Sequence, residues 1–187
     1  MSARRIFIAG ICFLVLASIG VFYFSSKKQS VPAPNTPAPA SATTTPETVQ
    51  TRVVPDGWRE YRNVTYHFSL FYPHELEVKE YPEEGNAFTI TFQNVKEQKG
   101  FQIFVVPYQE SQVSEERFKQ DLPSGVRTNV SDVTIDGATG AAFYSTNAMF
   151  GETREIWFIR GGYLFEVTTL KPLTAWMEEI LLSWKFL

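Results

Sequence analysis

His67 and His74 are the only histidines in 187 residues, so they are the first groups to weigh as proton carriers or metal ligands. A catalytic metal site wants three or more ligands converging on one point. Glu75 and Glu77 would have to complete such a set, and a period-two strand ended by Pro73 gives no reason for the four to meet. Glu83-Glu84 and Glu115-Glu116 could in principle serve as paired acid and base. The first pair reads as a turn and the second as a helix start, which makes solvated charge the simpler account of each. Nothing after Cys12 supplies a thiol, and there is no nucleophile elbow and no phosphate-cradling glycine loop. Asn63-Val-Thr65 and Asn129-Val-Ser131 match the glycosylation acceptor pattern, an ordinary outcome for a chain with six asparagines. Trp58 is the aromatic best placed for an exposed contact, with packing at a domain edge as the simpler role. No catalytic, cofactor-binding or metal-ligating residue is therefore assigned, no cofactor is expected, and the chain is not expected to be an enzyme.

The charge balance narrows the partners. Residues 56–187 carry 12 Lys and Arg against 19 Asp and Glu, a net of −7. Such a surface repels nucleic acid and anionic headgroups, so no nucleic-acid partner is expected. These 132 residues hold 23 of the 28 aromatics. A domain of this size buries about two thirds of its unfolded-chain surface and needs no disulfide or metal to hold it.

Ahead of the domain lie a five-residue tail, an apolar run and a spacer. Residues 6–24 (IFIAGICFLVLASIGVFYF) are 19 uncharged residues, flanked by Arg4-Arg5 and Lys27-Lys28 and ending in Phe22-Tyr23-Phe24. At about 1.5 Å per residue the run nearly spans a bilayer core, with its aromatics placed at the interface. A retained single-span anchor is the first reading and a cleaved signal peptide the second. A lipid-attachment site at Cys12 is disfavoured by bulky Ile11 and the apolar residues that continue beyond it. Three positive charges before the run, counting the free amine, against two after it lean toward a cytoplasmic N-terminus and an extracytoplasmic domain. Residues 25–55 hold six of the eleven prolines and almost no apolar mass, which predicts an extended linker without a core.

The domain's fold is most legible near its end. Thr153 to Arg160 and Tyr163 to Thr169 flank Gly161-Gly162, the signature of a two-residue hairpin. That register sets Arg160 opposite Tyr163, Ile159 opposite Leu164, Phe158 opposite Phe165 and Ile156 opposite Val167. One face then carries Ile156, Phe158, Phe165 and Val167. The other carries Trp157, Ile159 and Leu164 beside Glu155 and Glu166. Both faces are largely apolar, so the hairpin should lie in a sheet covered on both sides. Further strands are predicted over 58–62, 66–72, 76–81, 87–94, 100–106, 126–135 and 138–146, with a second strong hairpin signal at Asp136-Gly137. Ser114 followed by Glu115 and Glu116 predicts the capped start of a short helix ended by Pro123 and Gly125. Pro172 can open a last helix whose apolar stripe is Leu173, Trp176, Met177, Ile180, Leu181 and Trp184. Trp184 to Leu187 could return as an edge strand.

Three stretches together resemble the PsbP-like fold family: Tyr66-His-Phe-Ser-Leu-Phe-Tyr-Pro73; Glu155-Ile-Trp-Phe with Gly162-Tyr-Leu-Phe-Glu-Val-Thr168; and Trp176 to Leu187. The resemblance covers most of residues 56–187. It implies an α+β domain in which an antiparallel sheet is packed by helices on both faces. It also implies binding or assembly rather than catalysis, and it brings no catalytic constellation with it. The apolar run and proline-rich linker depart from the photosynthetic members, so a photosystem role is not carried over.

These readings give a membrane-anchored, extracytoplasmic, non-catalytic domain that binds an envelope protein or helps assemble an envelope complex. The alternative is a small-ligand carrier or sensor with a pocket between sheet and helices. A third reading, a hydrolase built on His67 or His74 with nearby carboxylates, requires groups that the sequence gives no reason to bring together.

Overall fold

The computed structural model describes residues 52–122 and 124–187. The apolar run 6–24, nearly all of the linker and the helix-ending role expected of Pro123 lie outside the described residues. Among the described residues, no helix is long and apolar enough to cross a membrane.

The domain is mostly antiparallel β-sheet. Ten strands run in chain order: β1 (Trp58–Asn63), β2 (Phe68–Pro73), β3 (Glu77–Pro82), β4 (Phe88–Asn94), β5 (Lys99–Pro107), β6 (Thr128–Ile135), β7 (Ala138–Asn147), β8 (Gly151–Arg160), β9 (Tyr163–Leu170) and β10 (Lys185–Phe186). Among the described residues two short α-helices interrupt them, α1 (Glu115–Asp121) and α2 (Thr174–Leu181). A seven-stranded sheet has the order β3-β4-β5-β9-β8-β7-β6, and a second sheet of three strands has the order β1-β2-β10.

The β8–β9 hairpin sits inside the larger sheet with the predicted register, including Phe158 opposite Phe165 and Ile156 opposite Val167. Gly161 and Gly162 both take positive φ, at 61° and 81°, as a right-twisted two-residue turn requires. Asp136 and Gly137 do the same between β6 and β7. Gly140 answers a different demand. A Cβ there would lie 2.0 Å from the carbonyl oxygen of Trp157, so only glycine lets β7 and β8 approach this closely.

Two cores form, one on each side of the hairpin. Ile156, Phe158, Phe165 and Val167 pack with Phe68, Leu70 and Tyr72 of β2 and with Met177, Ile180, Leu181 and Trp184. Trp184 stacks on Phe68 at 4.3 Å between ring centroids and meets Phe158 and Phe165 edge to face. On the other side Trp157 and Leu164 pack with Phe118 and Leu122, and Phe118 stacks on Trp157 at 4.9 Å.

The structure differs from the expected elements in two places. Strands 58–63 and 68–73 leave the main sheet and, with β10, form a layer of their own, so every residue of β2 is buried rather than alternate ones. The last helix is also shorter than its stripe. A 3₁₀ turn occupies Lys171–Leu173 and α2 ends at Leu181. Trp184 reaches the core from the turn beyond, where the Ser183 hydroxyl donates to the Ile180 carbonyl at 2.7 Å and accepts from the Phe71 N–H at 2.7 Å.

Antiparallel order forces one long crossing. β5 pairs with β9, while β6 lies at the far edge of the sheet beyond β9, β8 and β7. At about 4.8 Å per strand the chain must travel roughly 19 Å over the sheet between Pro107 and Thr128. α1 lies on this crossing and sets its apolar side on Trp157 and Phe143.

Candidate functional site

The structure separates the histidines. His67 is exposed in the turn before β2 and His74 is exposed just after it, so the six residues of β2 hold them about 23 Å apart. His74 Nδ1 lies 2.7 Å from the Gly57 carbonyl and 3.8 Å from Glu75. Among the described residues, no group of three or more His, Cys, Asp and Glu side chains is placed to hold a metal ion. Glu83 accepts from the Thr89 hydroxyl, and Glu115 holds Arg127 at 2.7 Å, which keeps the exposed Glu115 carboxyl below its ordinary range. Asn63 is buried, its Oδ1 accepting the N–H groups of Thr65 and Tyr66, so the side chain closes a turn. Trp58 is half-buried against the larger core.

What the fold does bring together is a polar seam on the face of the sheet that carries α1. Register neighbours Thr91, Gln102, Thr168 and Glu155 run side by side across β4, β5, β9 and β8, on the face that carries Trp157. In the adjoining row Glu166 stands opposite Trp157. From above, α1 contributes Arg117 and Asp121, which form an ion pair one helical turn apart; Arg117 also lies 3.7 Å from Glu166. Glu155 and Glu166 are only 5% and 6% exposed, a rare depth for carboxyls.

Glu155 has donors but no cation. The hydroxyls of Thr168 and Thr153 donate to it at 2.6 and 2.7 Å, and the Trp157 indole N–H donates at 3.3 Å. Burial still outweighs them and pushes its carboxyl up to about 7. Glu166 stands well above the ordinary carboxylate range, first through burial and then through Asp121 beside it, against the pull of Arg117. Among the described residues, the Nε of Arg117, Oε1 of Glu166, Oε1 of Gln102 and Oγ1 of Thr91 are buried without a hydrogen-bond partner, all on this one side of the sheet. Such atoms mark a place where water, a proton or a rearrangement has a role.

A second feature is a cleft of about 280 Å³ between β6, β8 and α2. Ile135, Ile156, Leu181 and Trp184 give it an apolar lining. Two ion pairs also line it, Arg154–Glu178 at 2.9 Å and Lys185–Asp136. Burial alone would raise Asp136, but Lys185 and the Phe186 N–H hold it below its ordinary range.

In overall chain path the molecule is similar to cyanobacterial PsbP. The likeness is to the solution structure of that protein from Synechocystis sp., at 11% identity and a TM-score of 0.48, over 78% of this chain and 99% of that one. No protein-family model and no curated protein matches the chain.

Sequence reasoning placed Glu155 and Glu166 on the Trp157 face but missed the seam. The available signal was two carboxylates on a hairpin face that was otherwise apolar. What the sequence could not provide was the crossing that carries Arg117 and Asp121 onto them.

Proposed function

We propose that this chain is a non-catalytic binding protein, held by residues 6–24 as a single membrane span with its folded domain on the extracytoplasmic side. Residues 25–55 act as the spacer, and the domain engages a protein of an envelope complex. The observation that carries this reading is β6. It ends the larger sheet, residues 128–132 are all exposed, and Val130 is 58% exposed. A strand from a partner can add to such an edge through backbone hydrogen bonds. The opposite edge, β3, is charged along Glu77, Lys79 and Glu80 and ends in Pro82, features that discourage pairing. On β6 the register shift between Thr128 and Ser131 limits indiscriminate zipping and leaves Ser131 to Ile135 for a matched strand. A photo-crosslinking residue at Val130 of the full chain in cells is expected to give an adduct that the same residue at Lys79 does not. Equal or absent adducts at the two positions end the reading. A cysteine in place of Val95, in a chain with Cys12→Ser, is expected to react with a membrane-impermeant reagent on intact cells, and protection from it reverses the topology.

The α2 cleft favours a second reading, a carrier or sensor of a small, mostly apolar and uncharged molecule. Its two lining ion pairs leave no net charge, and the buried indole N–H of Trp184 lacks an acceptor among the described residues. A saturable shift of the Trp184 indole signal with a neutral aryl ketone, absent with the matching hydrocarbon, supports that reading. No saturable shift with the ketone removes it.

A further inference from the structure

α1 rests on a small core of its own. Phe118 and Leu122 pack with Tyr108, Phe143, Trp157 and Leu164, separately from the larger cluster around Phe158 and Trp184. The segments on either side of it, 109–112 and 124–126, are exposed. The helix can therefore leave the sheet while the main core stays packed. Between it and the sheet the charges do not balance: Arg117 is shared by Asp121 and Glu166, and Glu155 has no cation partner among the described residues.

We propose that α1 is a pH-sensitive lid, seated while the carboxyls beneath it keep their protons and lifting as they ionise, so that Trp157, Phe143 and Leu164 become an exposed apolar patch. The charged and titratable groups around it come from several elements. β8 contributes Glu155 and β9 Glu166, while α1 contributes Arg117 and Asp121. From the segment after α1, Arg127 lies 4.0 Å over the Phe118 ring while bound to Glu115. The segment before it offers the Tyr108 hydroxyl, which accepts from the Ser114 N–H. At the sheet edge Asp132 is exposed opposite Ala141. The β4 and β5 positions in the seam, Thr91 and Gln102, are neutral.

With Glu155 and Glu166 protonated, the charges of Arg117 and Asp121 cancel. Ionising both adds two negative charges where, among the described residues, Arg117 is already paired with Asp121 and Arg127 with Glu115, and opening to water relieves them. Burial sets this change near neutral pH for Glu155, whose carboxyl is pushed up to about 7, and Glu166 is displaced in the same direction. The lid is independent of whether β6 takes a partner.

Hydrogen exchange of the full chain in detergent micelles tests this, with rates corrected for the intrinsic pH dependence of amide exchange. Protection of residues 115–122 is expected to fall at least tenfold between pH 5.5 and 8.5, while residues 68–73 and 177–181 keep theirs. Glu155→Gln with Glu166→Gln is expected to abolish the fall. Constant protection across residues 115–122, or a parallel loss in all three segments, overturns the proposal. The wild-type profile decides the matter by itself if the double variant does not fold.

Discussion

Thr168 donates its hydroxyl to Oε2 of Glu155 at 2.6 Å, from the position directly opposite on the neighbouring strand. With Thr153 and Trp157 it makes a buried anion site out of neutral donors alone. Thr168→Val keeps the shape and removes one donor. It is expected to cost about 1–3 kcal/mol at pH 8, where the carboxylate needs that donor, and clearly less at pH 5. Urea unfolding at the two pH values measures the difference, and equal losses would separate the bond from the charge.

Raised carboxyls have a definite sign in linkage. Glu155 and Glu166 both hold protons more tightly folded than unfolded. The contribution of Glu155 is fully present below about pH 4.5 and is lost as pH rises through 7, with a slope of up to about 1.4 kcal/mol per pH unit for the proton released, and that of Glu166 is lost in the same direction. Asp136 and Glu115 are shifted the other way, and their contributions are lost only as pH falls below about 4. Denaturation midpoints from pH 4.5 to 8 are therefore expected to decline, and Glu155→Gln to flatten the decline. A midpoint that rises across this range contradicts the assignment.

Gly140 faces the backbone of β8 with no room for a methyl group. Gly140→Ala is expected to cost about 3 kcal/mol, through separation of β7 from β8. Thermal unfolding reads this, and a change of less than about 0.5 kcal/mol would mean that the strands have slack which the distances deny.

Ser183 ties the end of α2 to β2 through the Phe71 N–H. Ser183→Ala removes the hydroxyl that meets that N–H and is expected to cost about 1 kcal/mol. Ser114→Ala, which removes the cap on the Arg117 N–H, is expected to cost about 1 kcal/mol and to act on α1. Hydrogen exchange distinguishes the two, since the first should loosen residues 177–181 and the second residues 115–122.

Local chemistry made much of the fold legible. Gly161-Gly162 pins the β8–β9 register because few other residues accept two successive positive φ values, and Asp136-Gly137 does so for β6–β7. Ser114 announces α1 through an oxygen that meets a free helical N–H. The two-layer arrangement was hidden, because Phe68 to Pro73 reads alike as a strand of either sheet. Trp184 continues the helical spacing of Met177 and Ile180, so the stripe masked the end of α2 at Leu181. The seam depends on contacts between residues 49 positions apart, Arg117 and Glu166, brought about by a crossing that no nearby residue encodes.

The place of β9 bears on how the chain is made. It joins the block β3-β4-β5 to the block β8-β7-β6, yet it is the last strand of that sheet to leave the ribosome. Until residues 163–170 emerge, β5 and β8 each wait with an unsatisfied row of amides, and the nascent chain is most open to chaperones or to mispairing in that interval. Slow codons or a stall just downstream of Leu170 would lengthen the finished sheet's time to close, while a stall upstream of Tyr163 would leave two half-sheets with nothing between them.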